Sequence, residues 1–249
     1  MKIAVITSVF GNVQQLRTPQ TKWHGVDYYA YVDKEHPCEV WNQIVSPDFT
    51  IDKQFTGRRN AKIYKIMPHV FLPDYDYHIW MDPTHDIISD PKEFCQAYLK
   101  DNDIALFKHP ERDCLYDEAK TLIELTEGPG GDYDTLDNIH RQLEFYKEEG
   151  FPKDFGLFEL SASIRKNTPQ IQTMNLKWWE IICRFSSRDQ ISLPFVLSLS
   201  LPTFLPNIFL VISGKSWIGM FKVFASILSA IFSSDISSVM YNTFLFIIK

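Results

Sequence analysis

The chain has no cysteine pair spaced for zinc, no excess of positive charge, and almost no charge of either sign after residue 190. Each absence excludes something. The four cysteines (Cys38, Cys95, Cys114, Cys183) form no Cys-x-x-Cys motif and no Cys/His set, so they read as free thiols in a reducing compartment. A formal net charge of −6 implies no broad basic surface and argues against a nucleic-acid binder. Any phosphate site must therefore be local. The opening MKIAVITSVF has one lysine, a short apolar run and no small-residue cleavage site. It is expected to be the first strand of a cytoplasmic domain rather than a signal peptide. No internal repeat is visible, and 249 residues suit one domain with room for an appendage.

Along the chain, strand and helix patterns alternate. Lys2–Phe10 alternates too little for a half-exposed strand and fits a buried parallel one, broken by Gly11-Asn12. Val26–Val32, Glu39–Val45, Tyr77–Met81, Asp103–Phe107 and Leu157–Ile164 read as further strands. Helices are expected over Gly57–Val70, residues 91–100, Asp113–Thr126, Thr135–Glu149 and Gln170–Phe185. Asp90-Pro91-Lys92-Glu93 has the composition of a helix start, and Gly150 that of a helix end. The alternation predicts an α/β fold with a mostly parallel sheet and helices on both faces.

The most informative stretch is Arg58–Asp86. A basic helix carries Arg58, Arg59, Lys62 and Lys65, with 59, 62 and 65–66 on one face. An aromatic strand follows and ends on Asp82. Cations feeding a strand-end carboxylate suit a phosphorylated ligand and a hard cation bridging its phosphates. The same pattern also describes a solvated helix face before a core strand, and spacing alone leaves both open.

Ala61-Lys62, Lys65, Pro68-His69, Leu72-Pro73 and Ile79-Trp80-Met81-Asp82 resemble the core signature of a family of glycosyltransferases. Its members act in plant cell-wall and mucilage metabolism and occur among bacterial polysaccharide genes. Three more blocks match in order: Phe107-Lys108-His109-Pro110 with Arg112 and Cys114; Gly156-Leu157 through Arg165 with Asn167-Thr168-Pro169; and Arg184-Phe185 with Arg188-Asp189-Gln190. The resemblance covers residues 1–197. It implies a GT-A-like fold that moves a hexose from a nucleotide-diphosphate sugar donor to a glycan acceptor.

In GT-A enzymes a Mn²⁺ or Mg²⁺ ion, held by an Asp-x-Asp pair, usually neutralises the diphosphate. Here Asp82 stands at the strand end and Asp86 four residues on, so the usual pair is lacking. The resemblance makes Asp82 and Asp86 the candidate metal ligands, with His85 as a further nitrogen donor. Arg59, Lys62 and Lys65 become candidate diphosphate contacts. His109 and Arg112, after a strand end, become candidates for donor phosphate or sugar hydroxyls. Asp189 and Glu159 are the candidate catalytic carboxylates, Asp189 toward the sugar or acceptor and Glu159 toward a sugar hydroxyl.

Of the charged residues, only Lys215, Lys222, Asp235 and Lys249 follow Gln190, leaving 22 basic and 30 acidic residues before it. Residues 191–213 carry no charge and would span roughly 35 Å as a helix, long enough to cross a bilayer. Pro194, Pro202 and Pro206 would interrupt such a helix. The expectation is a domain over 1–197 and an apolar segment over 198–249. Three readings of that segment stay open: membrane association (peripheral or anchored), a divergent end of the core, or read-through after a truncated gene.

Overall fold

The computed structural model describes residues 1–11, 15–46, 56–129, 134–200, 209–212 and 221–223. Seven strands form one sheet in the order β3 (Asn42–Val45), β2 (Val26–Val32), β1 (Ile3–Val9), β4 (Tyr77–Met81), β7 (Phe158–Lys166), β6 (Ile104–Lys108) and β8 (Phe209–Ile212). β1 pairs in parallel with both β2 and β4, and β2 with β3; β7 runs antiparallel to β4 and to β6, and β8 is parallel to β6. Among the described strands, β7 is thus the one reversed strand of an otherwise parallel sheet. β5 (His85–Ile87) pairs with β9 (Phe221–Val223) in a separate ribbon that the sequence pattern did not announce.

All seven residues of β1 are buried, as its run rich in β-branched residues implied. Ala4 and Ile6 pack on one face of the sheet, against Tyr64 and Leu72; Ile3, Val5 and Val9 pack on the other. The first face is covered by α1 (Thr56–Ile66), α4 (Leu115–Glu127), α5 (Leu136–Glu148), α6 (Pro169–Arg184) and α7 (Leu193–Ser200). The second is covered by α3 (Pro91–Tyr98) together with Cys38 and Trp41. In β6, Ile104 and Leu106 join the first core while Ala105 and Phe107 join the second, as strand alternation requires.

Local chemistry sets the helix ends. Asp90 accepts the Lys92 amide at 2.9 Å, Thr135 and Thr168 cap α5 and α6, and Gly150 with φ +71° ends α5. One expectation fails: the helix read over Gly57–Val70 breaks at Met67. Pro68 cannot continue the hydrogen-bond ladder and opens a separate turn, α2 (Pro68–Phe71).

The charge-free run after Gln190 begins inside the core. Leu193, Phe195, Val196 and Leu197 are buried, and Phe195 stacks on Tyr146 with centroids 4.3 Å apart. Pro194 sits in the first turn of α7, where no amide hydrogen is needed. Among the described residues no helix is long and apolar enough to cross a membrane. Apart from α7, β8 and β9, the apolar segment lies outside the described residues.

Candidate active site

The chain leaves β1 for β2 and β3 on one side, then returns through α1 to β4 on the other. Such a switch point opens a crevice at the carboxyl ends of the two central strands. A cleft of ≈330 Å³ lies there. Ser8, Val9 and Phe10 supply the wall from β1; Trp80, Asp82 and Pro83 supply the wall from β4; Gly57, Arg58, Ala61 and Lys62 contribute the start of α1. Ser187 and Arg188 close the far side. The Ser8 hydroxyl donates to the Ala61 carbonyl at 3.1 Å, and a side chain at Gly57 would meet the Phe10 carbonyl at 3.3 Å. The amino end of α1 is thereby held close against β1, where Gly57 and Arg58 line the cleft, and its first turn carries no acidic residue.

Beneath this opening lies a sealed ion cluster. Asp189, in a 3₁₀ turn (Asp189–Ile191), is buried and receives Lys62 Nζ at 2.6 Å and Lys65 Nζ at 2.5 Å on one oxygen. Lys65 also donates to the Leu160 carbonyl at 2.5 Å, stands 4.0 Å from Asp82 and sits 5.3 Å from the Trp80 ring centre. Burial alone would raise the Asp189 carboxyl, but Lys62, Lys65 and Arg188 hold it well below the usual carboxylate range. Burial pulls the Lys62 ammonium down to about 8 against the opposing pull of Asp189. Lys62 belongs to both places, since its side chain is 23% exposed and lines the cleft.

A second cluster forms around Glu118 of α4, which sequence reasoning did not single out. It is 2% exposed and accepts Arg112 Nε at 2.8 Å and Arg188 Nη2 at 2.8 Å. His109 Nδ1 accepts the Arg112 amide at 3.0 Å, so its Nε2 carries the proton and faces Glu118 at 3.9 Å. Burial lowers the His109 pKa, with Glu118 opposing. Ser187 is fixed by the buried Asp134, which accepts its amide at 2.7 Å. Glu118 and Asp134 therefore aim Arg188 at the cleft. Glu118 was legible in principle: it lies on the apolar stripe Leu115–Ala119–Leu122, where a carboxylate requires partners.

Lys62 and Asp82 line the cleft as the sequence suggested. Arg59 does not: its guanidinium donates to the Ile182 and Phe185 carbonyls, closing the carboxyl end of α6. Lys65 and Asp189 lie under the floor, tied to each other, instead of facing a ligand. His109 and Arg112 are held at Glu118, outside the cleft lining. Glu159 is half-buried near His85 and His109, and one of its oxygens accepts the Ser161 amide at 3.0 Å. Asp86 is buried away from Asp82, its two oxygens taking the Gln20 and Ile87 amides at 2.8 and 2.9 Å. The other two cleft cations are Arg58, which the basic-helix reading counted among its phosphate-directed charges, and Arg188, to which the sequence had given no ligand role.

This donor set does not fit the Mn²⁺ or Mg²⁺ ion that the GT-A resemblance implied. Asp82 is the one carboxylate among the described residues of the cleft wall, and Asp86 faces elsewhere. No group of three His, Cys, Asp or Glu side chains is arranged for a metal among the described residues. Asp82 already accepts Trp80 Nε1 at 2.8 Å.

Three solved glycosyltransferase structures resemble the chain at 10% identity. One is an enzyme involved in glycosylating the major capsid of PBCV-1 (TM-score 0.43, 86% of this chain and 82% of that one). Mouse xyloside xylosyltransferase 1 gives 0.42, with 87% and 86% covered; the bifunctional WbbM gives 0.42, with 78% and 37%. These likenesses are too loose to build on. By sequence, "Probable hexosyltransferase MUCI70" from Arabidopsis thaliana is 26% identical over 218 residues, or 76% of this chain; the chain spans only 36% of that relative's length. Residues 1–220 match the model of the family described as TOD1/MUCI70, glycosyltransferase-like domain, and the chain belongs to that family.

Proposed function

We propose that the chain is a GT-A-type glycosyltransferase that moves a hexosyl unit from a nucleotide-diphosphate sugar to a glycan acceptor. The observation that carries this reading is the charge arrangement of the switch-point cleft: Arg58, Lys62 and Arg188 surround a space that also holds one carboxylate, Asp82. Departure of a nucleoside diphosphate leaves an extra negative charge on its terminal phosphate. Preorganised cations stabilise that charge most when the sugar–oxygen bond breaks. Arg188 is preorganised by Glu118, and Lys62 by Asp189. Asp82, partly exposed and steadied by Trp80, is placed to accept a hydrogen bond from a sugar hydroxyl.

The test is turnover. The purified chain, incubated with a panel of nucleotide-diphosphate hexoses and oligosaccharide acceptors, is expected to release nucleoside diphosphate and yield a lengthened glycan. Tight donor binding with neither transfer nor slow hydrolysis for any pair would reduce the domain to a nucleotide-sugar binder. Membrane association through the apolar segment over 198–249, outside β8 and β9, belongs to the same reading. Sedimentation of the full chain with lipid vesicles checks it.

A further inference from the structure

The cleft's charges oppose the ion usually assigned to such a site. An octahedral Mg²⁺ or Mn²⁺ needs about six oxygens at close to 2.1 Å, and proteins usually contribute one or two carboxylates besides the phosphates. Here Asp82 is the one carboxylate among the described residues of the cleft wall, and one of its two oxygens is already engaged. Asp82 takes the Trp80 indole proton and has the Lys65 ammonium 4.0 Å from the same oxygen. Asp189 is clamped by two ammonium groups, Glu118 by two guanidinium groups, and Asp86 by two backbone amides. A dication on Asp82 would sit beside Lys65 in a cleft whose wall already carries Arg58, Lys62 and Arg188. That arrangement repels a dication and attracts a diphosphate.

We propose that this chain binds the diphosphate of its donor without a divalent metal ion, Arg58, Lys62 and Arg188 supplying the positive charge in the metal's place. The inference rests on the reading of the cleft as a donor site. The cations divide the work by their supports. Arg188 presents a planar fork held from behind by Glu118 at 2.8 Å, suited to two phosphate oxygens at once. Lys62 keeps Asp189 on one side and has further N–H donors for the cleft. Arg58 stands in the first turn of α1, beside the helix amides. A lone carboxylate then has a role other than metal ligand: it keeps the cationic wall from binding any anion and leaves an acceptor for a sugar hydroxyl.

Calorimetric titration of the full chain with UDP, GDP, ADP, CDP and inorganic pyrophosphate, in excess EDTA and again in Mn²⁺, tests the proposal. At least one nucleoside diphosphate should bind equally well in both, within about threefold. Arg58→Gln and Lys62→Gln should each weaken it about tenfold or more in EDTA. Asp82→Asn should leave that affinity unchanged or tighten it. If Lys62→Gln melts early, Arg58→Gln on the cleft rim carries the comparison. A tenfold gain from Mn²⁺ that disappears in Asp82→Asn would overturn the proposal and restore Asp82 as a metal ligand. Failure of every diphosphate to bind in either buffer would overturn the donor-site reading itself, and this inference with it. Manganese titration followed by paramagnetic resonance adds a direct reading: the free-ion signal should not be depleted by the protein.

Discussion

The cleft wall and the layer beneath it are built from the same residue types, yet their charges are in opposite states. In the wall, Arg58 and Arg188 line an open space with the partly exposed Asp82. One layer down, Lys65, Asp189 and Glu118 are each 2% exposed, and Arg165 is 1% exposed. All four are held by named partners. Arg165 donates to the Lys65 and Ile66 carbonyls at the end of α1 and to Asn175, and burial pulls its pKa only down to about 9, so it stays charged at neutral pH. The lower layer fixes where α1 and the Ser187–Asp189 turn sit; the upper one borders the cleft. A charged residue at a strand end or on a helix face thus informs about function only once its depth is known. Lys62, which spans both layers, is where the two roles meet.

The largest expected effect lies in the sealed layer. Asp189→Asn removes the counter-charge from two lysines, and stability should fall by about 3–5 kcal/mol in denaturant melts. The sign of its pH dependence follows from the depressed carboxyl. Stability is complete above the unfolded pKa of about 3.9 and drains as pH falls below it. An Asp189→Asn protein that melts normally but no longer turns over donor would break the division between layers and return Asp189 to the chemistry.

Glu118→Gln sharpens the contrast from the other cluster. Losing charge-assisted bonds to Arg112 and Arg188 should cost about 1.5–3 kcal/mol of stability. It should also release Arg188 and weaken pyrophosphate binding several-fold, whereas Arg112→Gln should leave binding unchanged because Arg112 does not line the cleft. Equal loss of affinity in both variants would mean that the cluster acts only through folding.

How much of this was written in the sequence depends on what each signal measures. Strand β1, the Asp90 cap and the Gly150 stop follow from local chemistry, and they stand where local chemistry puts them. The split at Met67–Pro68 was available from the proline rule but lost to the basic pattern running across it. Asp82 and Lys62 were legible because a strand end and a helix period locate a residue in space. Arg59 and Lys65 share that helix face but do not line the cleft, for one reason: periodicity gives the face and not the partner. That face packs on α6 and β7, so Arg59 meets carbonyls and Lys65 meets Asp189. Asp86 deceived for a similar reason, since four residues beyond Asp82 the chain has already turned into β5. The chain after Ser200 gives composition without period, and only β8 and β9 of it are described.

A smaller effect is expected where the layers join. Lys62 titrates at about 8, so its charge is present below that pH and lost above it. Affinity for a nucleoside diphosphate should stay level from pH 6 to 7 and fall as pH rises through 8, by about tenfold at most, the worth of one charge-assisted contact. Lys62→Arg should remove that limb, because a guanidinium stays protonated throughout. A limb that survives in Lys62→Arg would assign the titration to another group.

The smallest effect on stability should come from Asp82, although it stands at the centre of the site. Its carboxylate is 36% exposed, one oxygen accepts from Trp80, and its ion pair with Lys65 is long at 4.0 Å. Exposed pairs contribute about 0–1 kcal/mol, and an amide can still accept the indole proton. Lys65 keeps Asp189 and the Leu160 carbonyl, so no buried charge is left alone. Asp82→Asn should therefore shift the melting midpoint by less than a few degrees while turnover of a nucleotide-sugar donor falls clearly. A change near 3 kcal/mol would place Asp82 in the sealed layer with Asp189, and the cleft would lose the only carboxylate, among its described wall residues, with capacity for a ligand.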